Sequence, residues 1–292
     1  MAAVAADSNS NIIPCEHHSF THIPSPVDFG PEEKQNGIVT MLNAMLSKMN
    51  ETNLTLNNVQ FNDVSPTLPY NTRVSNGKVN EEIAKSILRL YGFTTVDVPR
   101  NVDMYQKIDF YLEGDFGRLG VQFKNRNCEK NSRKNDLGVE YCRVKFASGG
   151  TKTRADPSRG LETHVGRDRF SIADVYLSID AVNNILHWMP TWLIEKGAFD
   201  LHDPYEIIVE QVPCNFHSPT GRIVVRPQWT VAYKNKGQEG IVRRDARSIT
   251  LSDPDIGEIR YFRPHREREG VFKAMFYLND NYTGQFSYHL PM

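Results

Sequence analysis

The chain contains 292 residues, of which 39% are hydrophobic, so its composition permits a sizeable core and excludes wholesale disorder. Its net charge of −1 does not by itself indicate nucleic-acid binding, and no apolar run is long enough to span a membrane. The four cysteines are scattered and form no CxxC pair, which argues against a zinc ribbon and a disulfide framework. The first residues do not resemble a signal peptide, so we expect an intracellular protein.

The basic residues are concentrated in two blocks of the chain. Residues 124–167 hold eleven Lys and Arg against five Asp and Glu, and residues 222–273 hold twelve against seven. Two such blocks offer a surface that attracts phosphate if they fold together, whereas apart they are ordinary solvated surface. The sequence leaves both interpretations open.

Residues 1–70 are predicted to form an N-terminal arm and helical extension. The first thirty residues are rich in Ser, Asn, Pro and His, which indicates a loose or docked arm. Pro31, two glutamates and a Met and Leu stripe then predict a helix. Four residues of metal-ligand type occur in the arm, but no second cluster accompanies them, so a surface arm is the favoured interpretation. They are Cys15, His17, His18 and His22.

A second helix is predicted from Asn76 to a stop at Gly92, and a strand at residues 94–99 follows it. The helix prediction rests on apolar residues at helical spacing, namely Val79, Ile83, Ala84, Ile87, Leu88 and Leu90.

Residues 107–124 are predicted to form a β-hairpin with its loop at residues 113–118. If Asp109 lies opposite Gln122, the centre of the hairpin falls between residues 115 and 116. Directly opposed residues share a face of the sheet, so Asp109, Gln122 and Lys124 are expected on one face. The other face is expected to carry Ile108, Phe110, Leu112, Leu119, Val121 and Phe123.

The rest of the chain adds further strands. Residues 140–146 alternate like a half-buried strand, and the more apolar residues 173–180 predict a central one. A short strand ended by Pro190 and a helical segment follow, and the chain is β-rich after residue 201. The expected fold class is α/β, with a mixed sheet flanked by helices.

The ordered pieces of residues 77–195 resemble the PD-(D/E)XK nuclease superfamily, in the variant with Gln-x-Lys on the hairpin. Two departures accompany the resemblance: Pro99 lies ten positions before Asp109, and Gln122 stands where an acidic residue is usual. The residues that carry it are Gly77, Glu81, Gly92, Pro99, Asp109, Gln122, Phe123 and Lys124, followed by the segments "ADVYLSID" and "ILHWMP".

The resemblance implies a restriction-endonuclease-like core at residues 71–200. The β-rich C-terminal region at residues 201–292 contains the segment "RYFRPHREREG", whose arginines and aromatic residues suit either a nucleic-acid surface or a solvated turn. The resemblance also implies a metal-dependent endonuclease that hydrolyses phosphodiester bonds in DNA. The expected metal is Mg²⁺, for which Mn²⁺ can substitute. Asp109, Glu81, Gln122 and the Phe123 carbonyl would hold the ion, and Lys124 would hold the attacking water or the phosphate oxygens. Because an amide is a weaker ligand than a carboxylate, Glu81 would carry more of the charge.

The expected partner is DNA, with RNA left open and a second copy of the chain as one option for assembly. The candidate phosphate contacts are Lys152, Arg154, Arg159 and Arg167 in the first basic block. Two alternatives remain: a nuclease fold that binds nucleic acid without cleaving it, and a protein-interaction protein in which Asp109 and Lys124 form an ordinary surface ion pair.

Overall fold

The computed structural model of the chain contains four helices and fifteen strands within its described residues. The helices are α1 Glu32–Glu51, α2 Tyr70–Leu90, α3 Arg100–Gln106 and α4 Thr191–His202. The strands are β1 His17–Phe20, β2 Thr94–Asp97, β3 Phe110–Gly114, β4 Gly117–Arg126, β5 Leu137–Lys145, β6 Thr163–His164, β7 Val175–Asp180, β8 Ile185–Pro190, β9 Tyr205–His217, β10 Ile223–Asn235, β11 Arg243–Asp245, β12 Ser248–Asp253, β13 Gly257–His265, β14 Val271–Leu278 and β15 Ser287–His289. The described residues are 17–20, 31–52, 54–56, 59–64, 67–106, 108–126, 137–145, 163–164, 173–180, 184–265, 271–278 and 286–291.

A six-stranded mixed sheet organises the part of the chain that carries the candidate site. Its strand order is β15, β8, β7, β4, β3, β2, and β4 pairs with β7 in parallel while its other pairs are antiparallel. Strand β7 lies between two neighbours, which confirms the prediction that this apolar segment is central. The expected α/β class is therefore confirmed at the level of a mixed sheet with helices.

Helices α1 and α2 cover one face of this sheet because each carries an apolar stripe. Leu42 and Met45 of α1 and Ile87 and Leu88 of α2 are buried in one cluster with the sheet residues. The helix α2 begins at Tyr70, six residues before the predicted start. Of the apolar residues that indicate the helical period, Ala84, Ile87 and Leu88 are buried, whereas Val79 is 44% and Leu90 is 58% exposed.

The predicted hairpin is present with the predicted register. Phe110 pairs with Val121 and Gly114 pairs with Gly117, so the centre lies between residues 115 and 116. The strands continue further than predicted and leave a two-residue turn, which Gly117 permits with a φ of +111°. Five of the six expected apolar residues lie in the cluster under α1 and α2, namely Phe110, Leu112, Leu119, Val121 and Phe123.

The prediction for the sixth residue, Ile108, is wrong, because its side chain lies on the opposite face from the other five. Its Cδ1 lies 3.3 Å from the position that a Cβ on Gly120 would occupy. Gly120 and Gln122 are two residues apart on β4, so Ile108 lies on the face of the sheet that Gln122 occupies. The amide of Asp109 donates to the carbonyl of Val121 at 2.8 Å instead of continuing the register of β3. The alternation therefore slips by one residue where the chain enters β3.

One helix was not predicted. Residues 100–106 form α3 between β2 and the hairpin, and the carbonyl of Pro99 accepts hydrogen bonds from the amides of Val102 and Asp103 at 2.9 and 3.2 Å. The segment carries no apolar stripe of helical period, so its sequence gave no signal of a helix.

The other face of the six-stranded sheet packs against α4 and two further sheets. Strands β1, β9, β10 and β11 form one of them, and β12, β13, β14, β5 and β6 form the other. Tyr176 and Met189 of the first sheet share a core with Ile194 of α4, Val231 of β10 and Phe276 of β14. The prediction of a β-rich region after residue 201 is confirmed, whereas boundaries at residues 70 and 200 stay a prediction.

Strand β15 closes the edge of the six-stranded sheet next to β8. The hydroxyl of Tyr288 donates to the carbonyl of Met49 at 3.0 Å and lies 3.0 Å from the hydroxyl of Tyr91. Nearby, the amide of Leu56 donates to the carbonyl of Pro291 at 2.8 Å. The strand thus joins the end of α1, the end of α2 and the sheet. Among the described residues, no helix has both the length and the apolar character needed to cross a membrane.

Candidate active site

Asp109 lies at the base of the hairpin, just before β3, and its side chain completes the pairing of β4. Its Oδ2 accepts a hydrogen bond from the amide of Phe123 at 2.5 Å. The carboxylate therefore replaces the backbone acceptor that the slipped chain removes from this position. One carboxylate oxygen is used in this way.

The surroundings of Asp109 oppose its ionisation. Burial raises its pKa from 3.8 to about 6, although the hydrogen bond from Phe123 and the charge of Lys124 act in the opposite direction. The negative charges of Glu81 and Asp103 raise it further. A half-buried carboxylate whose ionisation is opposed by neighbouring negative charge is stabilised by a cation placed beside it.

Glu81 is held on the sheet-facing side of α2. Its side chain is 23% exposed, against 61% for the neighbouring Glu82. Burial raises the pKa of Glu81, although the ammonium of Lys85, 3.0 Å from its Oε1, lowers it. Of the two glutamates, Glu81 is the one whose charge acts on Asp109.

Gln122, Phe123 and Lys124 follow one another on β4 and point alternately to the two faces. Gln122 is buried and lies beside Tyr176 of β7, and Lys124 lies beside Ser178. The ammonium of Lys124 is 5.8 Å from the centre of the Tyr176 ring. Phe123 packs on the opposite face, in the core under α1 and α2. Gln122 and Lys124 thus share a face, as expected, whereas α2, which carries Glu81, covers the opposite face.

Sequence reasoning missed Lys85, which is the most enclosed charge near the site. Its side chain is only 4% exposed, and its ammonium lies within 3.0 Å of the carboxylates of Glu81, Glu82 and Asp97. A signal was present, because Lys85 follows Glu81 by four residues and stands next to the buried Ala84. A lysine within an apolar helix stripe indicates a buried ion pair.

Asp174, in the segment "ADVYLSID", has a structural role. Its Oδ2 accepts the amide of Gly120 at 2.8 Å, and its own amide donates to the carbonyl of Gly120 at 2.8 Å. Its carbonyl accepts the amide of Thr191 at 3.0 Å. These bonds fix the start of the parallel pairing of β4 with β7 and, through it, the position of Lys124.

The predicted phosphate contacts Lys152, Arg154, Arg159 and Arg167 lie outside the described residues. The same holds for Cys15 and His22 of the arm, whereas His17 and His18 belong to β1, which pairs with β9. The predictions for these residues stay predictions.

Asp109 at the hairpin and Glu81 on α2 carry oxygen donors of the type that hard divalent cations prefer. Asp109 and Glu81 offer carboxylate oxygens, and burial, together with neighbouring negative charge, raises the pKa of each. No three Asp, Glu, His or Cys side chains converge as a metal-holding group in the described part of the chain. An ion would therefore rest on two carboxylates, with water and substrate oxygens completing its shell, which is the pattern that Mg²⁺ accepts.

Comparisons with known proteins give no relative for this chain. No family model matches it. No curated protein matches it, and neither does any solved structure.

Proposed function

We propose that the chain is a metal-dependent nuclease with a restriction-endonuclease-like core, which hydrolyses phosphodiester bonds in DNA. The observation that carries the proposal is the half-buried carboxylate of Asp109, whose pKa is raised by burial and by the charge of Glu81, and lowered by the amide of Phe123 and the charge of Lys124. The order of helix α2, strand β2 and the β3–β4 hairpin, with β7 added in parallel, supports the same assignment.

Each residue has a distinct task in this mechanism. Asp109 and Glu81 would hold Mg²⁺ or Mn²⁺, with the Gln122 amide oxygen and the Phe123 carbonyl as further oxygen ligands. The ion, when bound, neutralises developing charge on the phosphate and lowers the pKa of an attacking water. Lys124 binds the water or a phosphate oxygen and stabilises the additional negative charge of the transition state. The hydrogen bond from the Phe123 amide orients Asp109 and favours its ionised form.

The first experiment asks whether the purified chain cleaves DNA. Plasmid is incubated with the protein in Mg²⁺, Mn²⁺ or EDTA, and a gel shift is run beside it. Nicking that requires the metal supports the proposal. Asp109→Ala should abolish nicking while leaving the protein folded, and full activity in a folded Asp109→Ala protein would overturn the assignment.

The second experiment uses the two adjacent glutamates as a matched pair. Glu81→Gln should lower the cleavage rate by at least about a hundredfold, the scale of losing a catalytic electrostatic group. Glu82→Gln removes the same charge from a more exposed side chain and should cleave nearly normally. The reverse result would place the wrong glutamate in the mechanism, and two normal enzymes would remove α2 from it.

Gln122 favours a second candidate, a nuclease fold that binds nucleic acid without cleaving it. The side chain is neutral where the resemblance expects an acidic residue, and Lys85 contacts one oxygen of Glu81. DNA binding without nicking in any metal would select this candidate. Neutralising Lys152 and Arg154 together should then flatten the salt dependence of binding, because fewer counterions are released.

A further inference from the structure

Lys85 is the buried cation nearest to the carboxylates of the candidate site. Its ammonium lies 3.0 Å from Glu81 Oε1, 2.7 Å from Glu82 Oε1 and 2.8 Å from Asp97 Oδ1. An ammonium has three donors, so these three carboxylates can use all of its hydrogen-bonding capacity. The group also lies 5.5 Å from the centre of the Phe110 ring.

The three partners of Lys85 differ in what else they contact. Glu82 and Asp97 are exposed, so they can exchange the ammonium for water at little cost. Glu81 is the enclosed partner, and it is the one whose charge reaches Asp109. Lys85 therefore supplies positive charge to Glu81, whereas the charge of Lys124 acts on Asp109.

We propose that Lys85 is a built-in counter-cation of the site, which binds Glu81 in the metal-free protein and competes with the divalent ion for it. This inference rests on the proposed function, since it assumes that Glu81 and Asp109 bind a metal. The lysine occupies Glu81 Oε1 and adds one positive charge beside the metal position. Both effects weaken metal binding, while they keep the empty site folded.

If Lys85 competes with the metal, removing its charge should raise Mg²⁺ affinity. A lysine with a purely structural role would not give this increase. Lys85→Gln keeps a polar side chain but removes the charge, and it should bind Mg²⁺ about tenfold more tightly than the natural protein. This is the scale of repulsion between a single and a double positive charge a few ångströms apart in a solvated site. Lys85→Arg keeps the charge and should bind Mg²⁺ with nearly natural affinity.

The experiment is a calorimetric titration of Mg²⁺ into the full chain, combined with thermal unfolding in EDTA and in Mg²⁺. Lys78→Gln is the control, because it removes the same charge from an exposed position on the same helix. Its affinity should match that of the natural protein. Mg²⁺ should raise the unfolding temperature of Lys85→Gln more than that of the natural protein, because the ion replaces the lost charge.

Each outcome bears on one of the two proposals. Equal or weaker Mg²⁺ affinity in Lys85→Gln overturns the counter-cation inference and leaves the nuclease proposal standing. If neither Mg²⁺ nor Mn²⁺ binds to any of these proteins, the nuclease proposal is overturned and this inference falls with it. If Lys85→Gln is unfolded in EDTA, folding on addition of Mg²⁺ is the expected result, and failure to fold at any Mg²⁺ concentration overturns the inference.

Discussion

Replacing Asp109 by Asn should stabilise the metal-free protein at neutral pH. In the folded state the pKa of Asp109 is raised from 3.8 to about 6, so the fold favours the protonated, neutral carboxyl group. Above pH 6 the folded protein must hold a charge that the unfolded chain holds more easily. The stability associated with Asp109 is therefore present below pH 3.8 and is lost as the pH rises through 6.

The size of the effect follows from the two pKa values. A difference of about two pKa units corresponds to about 3 kcal/mol at pH 7.5 and to about 1 kcal/mol at pH 4.5. Asn cannot ionise, yet its carbonyl oxygen can still accept the amide of Phe123. Asp109→Asn should therefore unfold at a higher urea concentration than the natural protein in EDTA, and its advantage should shrink towards pH 4.5.

The assay is urea unfolding in EDTA at both pH values, with Asp103→Asn as the matched control. Asp103 is an exposed carboxylate of α3 near Asp109, and its replacement should change the free energy of unfolding by less than about 0.5 kcal/mol. Added Mg²⁺ should stabilise the natural protein and leave Asp109→Asn unchanged, because the ion binds the charged form. An Asp109→Asn protein that is less stable at pH 7.5, or equally stabilised at both pH values, would refute the reasoning.

Three further predictions concern other parts of the molecule. Gln122→Glu should keep or raise Mg²⁺ affinity and Gln122→Leu should lower it, since a carboxylate is the better ligand; calorimetry that finds both variants unchanged would exclude Gln122 as a ligand. Burial lowers the pKa of His202, which is hydrogen-bonded to Tyr261, to about 3, so the natural protein should lose stability as the pH falls below 6.5. His202→Gln should be free of this loss, which is about 2 kcal/mol at pH 5, and parallel stability curves of the two proteins against pH would contradict the prediction. Tyr288→Phe should destabilise the fold by about 1–3 kcal/mol in urea, because the carbonyl of Met49 loses its donor; an unchanged midpoint would show that the bond contributes nothing.

The hairpin was predictable because its signals are local. Alternation on both sides of two glycines fixed the register, and the apolar segment at residues 173–180 indicated a central strand. The slip at Ile108 was not predictable, since Asp109 replaces a backbone bond with its side chain. A one-residue shift of this kind leaves no trace in the alternation pattern.

The remaining differences come from contacts between distant parts of the sequence. The helix α2 starts at Tyr70 in a polar stretch, where no apolar period marks it. The environment of Lys85 depends on Asp97, which lies on another element. The division into three sheets depends on pairings such as that of β14 with β5, which join segments more than a hundred residues apart.

Strand β15 has a consequence for the synthesis of the protein on the ribosome. The hydroxyl of Tyr288 contacts partners 197 and 239 positions earlier in the chain. Until residues beyond 286 emerge, the free edge of β8 has unpaired backbone groups that another nascent chain can bind. Because such distant contacts form slowly, we expect chaperones to be needed during translation.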